Sequence, residues 1–209
     1  MPQHNDADVK PTAQRILDAA EDLFAEKGYS ATSLGDVADR VGIRSPSLYN
    51  HFRNKEALYA AVLERLLEDF GAPLLELRES AITRDRIYRW LETIVRMHHE
   101  RPNLARLLQH AALSGGPHTN QLIERLFSPM FEPSGLPDDE VSFALVGPEL
   151  QPWAVMALNN MVMSYITMAP MYRDLLGEDP FSPDALDKQL ELILKLAHLV
   201  IEHPGDSPP

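Results

Sequence analysis

The stretch "SLGDVADRVGIRSPSLYNHFRNKEALY", residues 33–59, sets the reading of the whole chain. Ser33 followed by Asp36 is a capping-box pattern, in which each residue's side chain satisfies the other's backbone N–H. It opens a short helix whose inner face is Leu34, Val37, Ala38 and Val41, and Gly42 stops it. Ser45 is placed to cap a third helix with Pro46 at its first position, where a missing N–H costs nothing. That helix turns Leu48 and Phe52 inward. Asn54 caps a fourth, with Leu58, Ala61, Val62 and Leu66 on its inner face. Two short helices joined by "VGIR" form a helix-turn-helix pattern.

The outward residues of this stretch are rich in hydrogen-bond donors. Such a motif braces its first helix and lays the start of its second in the DNA major groove. Ser45 and Ser47 are small enough for close approach, and Arg44 is placed for guanine or phosphate. Tyr49, Asn50 and His51 offer a phenol, an amide and an imidazole that so short a helix cannot all bury. Lys55 stands in a first helical turn, where a cation opposes the helix dipole. A phosphate bound there would reverse the sign. The plainer alternative is an exposed lysine offset by Glu56.

Charge does not forbid that reading. The 209 residues carry a formal net charge of −12, and phosphate binding needs local positive charge. Residues 27–60, however, hold Lys27, Arg40, Arg44, Arg53 and Lys55 against Asp36, Asp39 and Glu56. Absent cysteines exclude disulfides, thiolate metal sites and a cysteine nucleophile. The N-terminus has neither the basic nor the apolar region of a signal peptide. No apolar run approaches a membrane span. These features point to a cytoplasmic protein with no membrane partner.

Outward from the motif the periodicity is helical. Ile16, Ala19, Ala20, Leu23 and Phe24 make one stripe between a Thr12 cap and a Gly28 stop. Pro73 is expected to kink or break the fourth helix. Further helices are predicted at 83–100, 103–113 and 119–131, and a loop over 132–150. One apolar helix follows to 172, and a last one starts at 182, for about nine helices in an all-α fold. Residues 1–11 and 204–209 read as disordered tails.

Residues 12–59 resemble the DNA-binding domain of the TetR/AcrR transcriptional regulators, through "RILDAAEDLFAEKGYSATSLGDVADRVGI" and "SPSLYNHFRNKEALY". Gly28, Gly42, Tyr49, Phe52 and Lys55 stand in register with that family's pattern. The resemblance implies a three-helix head over 12–59 and a helical ligand-binding and dimerisation domain over 60–203. It implies a homodimer on a palindromic operator, acting as a repressor released by a small apolar or amphipathic ligand. The DNA contacts it implies are Thr32, Ser33, Arg44, Ser45, Ser47, Tyr49, Asn50, His51 and Lys55. Asn50 departs from the family's common histidine or tyrosine, and amides can read adenine. The acidic Asp6 and Asp8 argue against a minor-groove arm.

The C-terminal two-thirds are less specific. Leu186, Leu190, Ile193, Ala197 and Val200, spaced 4, 3, 4, 3, fit packing on a partner's helix, and fit an intrachain core equally. Bulky or flexible candidates for a ligand pocket are Trp90, Met97, Leu107, Phe127, Met130, Phe131, Trp153, Met156 and Met163. His98, His110, Asn159 and Asn160 are the polar groups able to orient a ligand there. Amides inside "VMALNNMVMSY" are costly if buried unpaired, so they bond either a ligand or a neighbouring helix. No nucleophile elbow, zinc-protease, P-loop or dinucleotide motif occurs, so no catalytic residue, cofactor or metal is expected. The rival reading is a helical ligand- or protein-binding dimer with a vestigial head.

Overall fold

Side-chain caps open two of the first four helices. A computed structural model describes residues 10–79, 83–114, 117–128 and 147–201, and no strand occurs among them. Helix α1 is Thr12–Ala31, with Pro11 rather than Thr12 at its cap. Gly28 interrupts it at φ 77° and ψ 171°, a conformation essentially reserved for glycine. Helix α2, Leu34–Val41, carries the full Ser33–Asp36 capping box. It ends at Gly42 in the left-handed region, with Ile43 N–H donating to the Ala38 carbonyl. Helix α3, Ser45–Tyr49, is capped from Arg44 rather than Ser45.

Helix α4, Lys55–Arg78, starts where Asn54 Oδ1 accepts the Ala57 N–H. It runs through Pro73 without ending. The proline removes one intrahelical bond, but Phe70 and Leu74 on either side are buried and keep the helix seated. Helices α5 (Arg84–Glu100) and α6 (Asn103–Ser114) lie near their expected positions. Helix α7 (Thr119–Leu122) opens a π-helical turn, Ile123–Phe127. Helix α8, Gly147–Thr167, already includes residues expected to be loop. The expected helix to 172 breaks at Met168, and α9, Ala169–Leu176, follows. Helix α10 is Pro183–Ile201. The expected loop over 132–146 and most of both tails lie outside the described residues.

Buried side chains fall into separate groups. The largest joins α1 (Ile16, Leu23, Phe24), α2 (Val37), α3 (Leu48) and α4 (Leu58 to Phe70) with Leu104, Leu107, Leu108 and Ala111 of α6. Two smaller groups tie α5 to α8 and α10: Val95, Val162, Leu190 and Ile193 in one, and Ile87, Leu91 and Ala197 in the other. The stripe predicted as a dimer seam is therefore corrected at three positions. Leu190, Ile193 and Ala197 are buried within their own chain, because they face α5. Leu186 packs beside them half-buried, and the Val200 side chain lies outside the described residues.

Candidate nucleic-acid interface

Between Arg44 and His51 one side chain points inward. Leu48 is 0% exposed and pins α3 to the core, while Arg44, Ser45, Pro46, Ser47, Tyr49, Asn50 and His51 are all exposed. The short α3 follows from this: one buried leucine and a half-buried Phe52 are its whole anchorage. Asn50 keeps helical backbone angles just past the last turn, so its amide extends the same surface. Arg15 of α1 reaches across and donates to the Val41 carbonyl at 2.7 Å, which caps α2 and fixes the turn. The motif therefore presents a guanidinium, two hydroxyls, a phenol, an amide and an imidazole on one short rigid element.

Ser33 stays on the surface while its hydroxyl oxygen accepts the Asp36 N–H at 3.1 Å. The return bond, Ser33 N–H to the carboxylate at 2.9 Å, is the first cause that holds the Asp36 carboxyl below its usual range. Two of the nine expected contacts are turned to other work. Thr32 is buried, and its hydroxyl lies 2.9 Å from the Gly28 carbonyl and 3.1 Å from that of Leu23. Lys55 folds back over the end of α1. Its ammonium donates to the carbonyls of Tyr29 (2.9 Å), Thr32 (3.0 Å) and Ser30 (3.4 Å), and lies 4.4 Å from the Tyr29 ring centre. A cation beside a helix's last carbonyls is favourable, so the dipole problem at α4 is answered inside the protein. Burial, with Glu56 nearby, pushes the Tyr29 phenol up.

Arg53 was not among the expected contacts. It is exposed in the turn between α3 and α4, next to His51. Its charge was visible in the sequence, but no motif position marked it.

The expected pocket residues do not form one lining. Leu107 is in the shared core. Met97 and Met163 rest half-buried against that core from α5 and α8. His98 is buried beside Phe70, with ring centres 5.0 Å apart and Nδ1 2.8 Å from the Ile94 carbonyl. A carbonyl only accepts, so Nδ1 carries the proton. Burial lowers the His98 pKa, which keeps the ring neutral. Trp90 packs toward Ala197 with its indole N–H buried and unpartnered. His110 lies against Gly28 instead. Trp153, Met156 and Asn160 face outward, because they lie on the side of α8 turned away from α5. Asn159 is half-buried. Met130, Phe131 and the Phe127 side chain lie outside the described residues.

Residues 16–62 match the family model described as "Bacterial regulatory proteins, tetR family". The HTH-type transcriptional repressor ComR of Escherichia coli (strain K12) is 48% identical over 56 residues, which are 27% of this chain and 27% of ComR. The HTH-type transcriptional regulator RutR of the same strain is 32% identical over 109 residues, 52% of this chain and 51% of RutR. The chain thus spans about half, or less, of the length of the curated relatives it matches. The solved SmeT–triclosan complex is similar in fold, at a TM-score of 0.60 and 19% identity, over 96% of this chain and 100% of that one. Residues 16–62 thus carry a helix-turn-helix head of the tetR-family kind, in a chain whose fold is similar to that of SmeT.

Proposed function

We propose that the chain is a homodimeric, sequence-specific DNA-binding repressor of the cytoplasm, released from a palindromic operator by a small ligand. The observation that carries this is the surface at 44–53, where six hydrogen-bonding side chains and Arg53 surround a single buried anchor, Leu48. Arg44 and Asn50 are the base readers, since their side chains suit guanine and adenine edges. Ser33, Ser45, Ser47, Tyr49, His51 and Arg53 orient the element on the backbone. One such element has a small footprint. Two of them, about 34–36 Å apart, engage successive major grooves on one face of the duplex.

Dimerisation is assigned to the outer face of α8 and α10. Trp153 and Met156 are 66% and 44% exposed, and Leu192 and Leu199 are 55% and 53% exposed. Four large apolar side chains left uncovered on two helices that both pack on α5 support a protein partner, and a second copy supplies the symmetry a palindrome requires. The ligand is assigned to the seam where Met97, His98 and Met163 meet the shared core, an apolar setting with one neutral imidazole. The similarity in fold to SmeT, seen with triclosan, supports a small-molecule effector. Release requires that the ligand favour a spacing of the two heads that misses the grooves, since equal affinity for both states shifts nothing.

The test is selection of bound duplexes from a random pool with the full chain at a stated salt concentration. An enriched palindrome is expected. Arg44→Ala and Asn50→Ala should each cost about 1–3 kcal/mol and relax preference at separate base positions. No enrichment at low salt from folded, ligand-free protein would sink the DNA reading in favour of a vestigial head.

A further inference from the structure

From Leu150 to Tyr172 the sequence holds no Asp, Glu, Lys, Arg or His, although one side of α8 is open. Trp153, Met156, Ala157, Asn160 and Ser164 are all exposed, and their spacing sets them on one stripe of the helix. Helix α5 shows what a solvated face looks like in the same chain. Its exposed residues are Arg84, Asp85, Arg89, Thr93, Arg96 and Glu100. A stripe with no charge of either sign offers nothing to a charged partner. It matches a surface that is itself free of charge, as the centre of an interface is. A two-fold contact supplies such a match directly, because each patch meets a copy of itself.

Asn160 is the exception within the stripe. It stands about one turn from Met156, Ala157 and Ser164 and about two turns from Trp153, so its amide lies well inside the apolar strip. Asn159, about 100° further round the helix, is half-buried in its own chain. Among the described residues the Asn160 side chain makes no hydrogen bond, and water satisfies it while the stripe is open. Covering the stripe strips that water, which is unfavourable unless the partner returns bonds to both the carbonyl and the NH2. Methionine and alanine side chains return neither in full strength, and an indole only donates. A second amide returns both, each oxygen accepting from the other's nitrogen. On a two-fold axis a residue faces its own copy, so the axis is where Asn160 brings its own partner.

We propose that Asn160 lies on the two-fold axis of a homodimer and pairs there with the same amide of the second copy. The pair fixes the register of the two α8 faces and restricts assembly to chains that carry an amide at this position. A single buried asparagine sets register and partner in coiled coils for the same reason. Related chains with an apolar side chain at this position are thereby refused as partners, although the rest of the stripe would accept them. This inference rests on the dimer proposed above and adds to it the axis and the choice of partner.

The chain has no cysteine, so a single introduced one reports alone. In the full chain with oxidised glutathione, Asn160→Cys should form a disulfide-linked dimer at least ~5-fold faster than Met156→Cys or Ser164→Cys, since the bond needs Cα atoms within about 7 Å. Partner choice is read by producing wild type and Asn160→Leu together under two distinguishable tags. Each should form its own dimers, and mixed dimers should fall ~5-fold or more below random pairing. Should Asn160→Leu stay monomeric, Asn160→Ala takes its place. Random pairing, or linkage at Met156 or Ser164 as fast as at Asn160, would overturn the proposal and leave a dimer standing. A wild-type chain that sediments as a monomer would remove the dimer and this inference together.

Discussion

A lysine at the first position of α4 works against the helix dipole by about 0.3–1 kcal/mol at an exposed site. Three carbonyls at the end of α1 receive its ammonium here. Lys55→Met should therefore lower stability by about 1.5–3 kcal/mol, the range for hydrogen bonds from a charged group, and weaken all DNA sequences alike. Thermal unfolding with binding at several salt concentrations checks this. Unchanged unfolding with a salt slope reduced by about 1 would assign Lys55 to a phosphate instead. At this scale the sequence marked the side chains of α3 that stay exposed but not the inward use of Thr32 and Lys55. The Thr32 bond to the Leu23 carbonyl and the Lys55 bond to the Thr32 carbonyl cross the turn at Gly28 or join separate helices, which spacing along one helix does not encode.

The cap and stop of α2 and the cap of α4 were legible because they act over three or four residues. Ser33→Ala should cost about 1 kcal/mol in denaturant unfolding by removing one half of the capping box. The same box gives a pH signature. Because the Asp36 carboxyl titrates lower when folded, its contribution is complete above the ordinary carboxylate range and disappears as pH falls through the folded value. Wild type and Asp36→Asn should converge at the acid end, and a gap that persists unchanged there would contradict the assignment. Breaks were less legible than caps. Pro73 was expected to kink or break α4, yet the helix runs on through it, because burial of Phe70 and Leu74 outweighs one lost backbone bond. The break at Met168 has no comparable local signal, since Ala169-Pro170 begins a helix as readily as it ends one.

Across the whole molecule, α10 gives Leu190, Ile193 and Ala197 to the chain's own core and leaves Leu192 and Leu199 exposed. Leu190→Ala should cost about 2–5 kcal/mol whatever the assembly, because its side chain fills the chain's own core. Leu192→Lys with Leu199→Lys should leave the helical fold and convert the dimer to monomer in sedimentation. A persistent dimer would remove the assigned face. His98 adds a pH dependence at the seam between α4 and α5. Its folded pKa is lowered by burial, so stability is complete above about 6.5 and falls on acidification, when the unfolded chain binds the proton more readily. His98→Gln should flatten that limb of the unfolding profile below about pH 6.5. An unaltered limb would show that other groups produce it.

Residue spacing within 12–59 was enough to specify the head, because caps, the Gly42 stop and one-sided apolar stripes are properties of short segments. It specified which side chains of α3 remain outside, since five residues offer one inward position. Tertiary structure alone decided which apolar residues of the C-terminal helices are core and which are surface. A helix of period 3.6 with leucines on two faces satisfies both patterns, and only packing on α5 selects Leu190 and Ile193 for the interior and leaves Leu192 outside. Tertiary structure likewise placed α6 in the head's core, across about fifty residues of intervening chain. Burying Leu104, Leu107 and Leu108 there removes them from water wherever they occur in the sequence, because the hydrophobic effect depends on area and not on order along the chain.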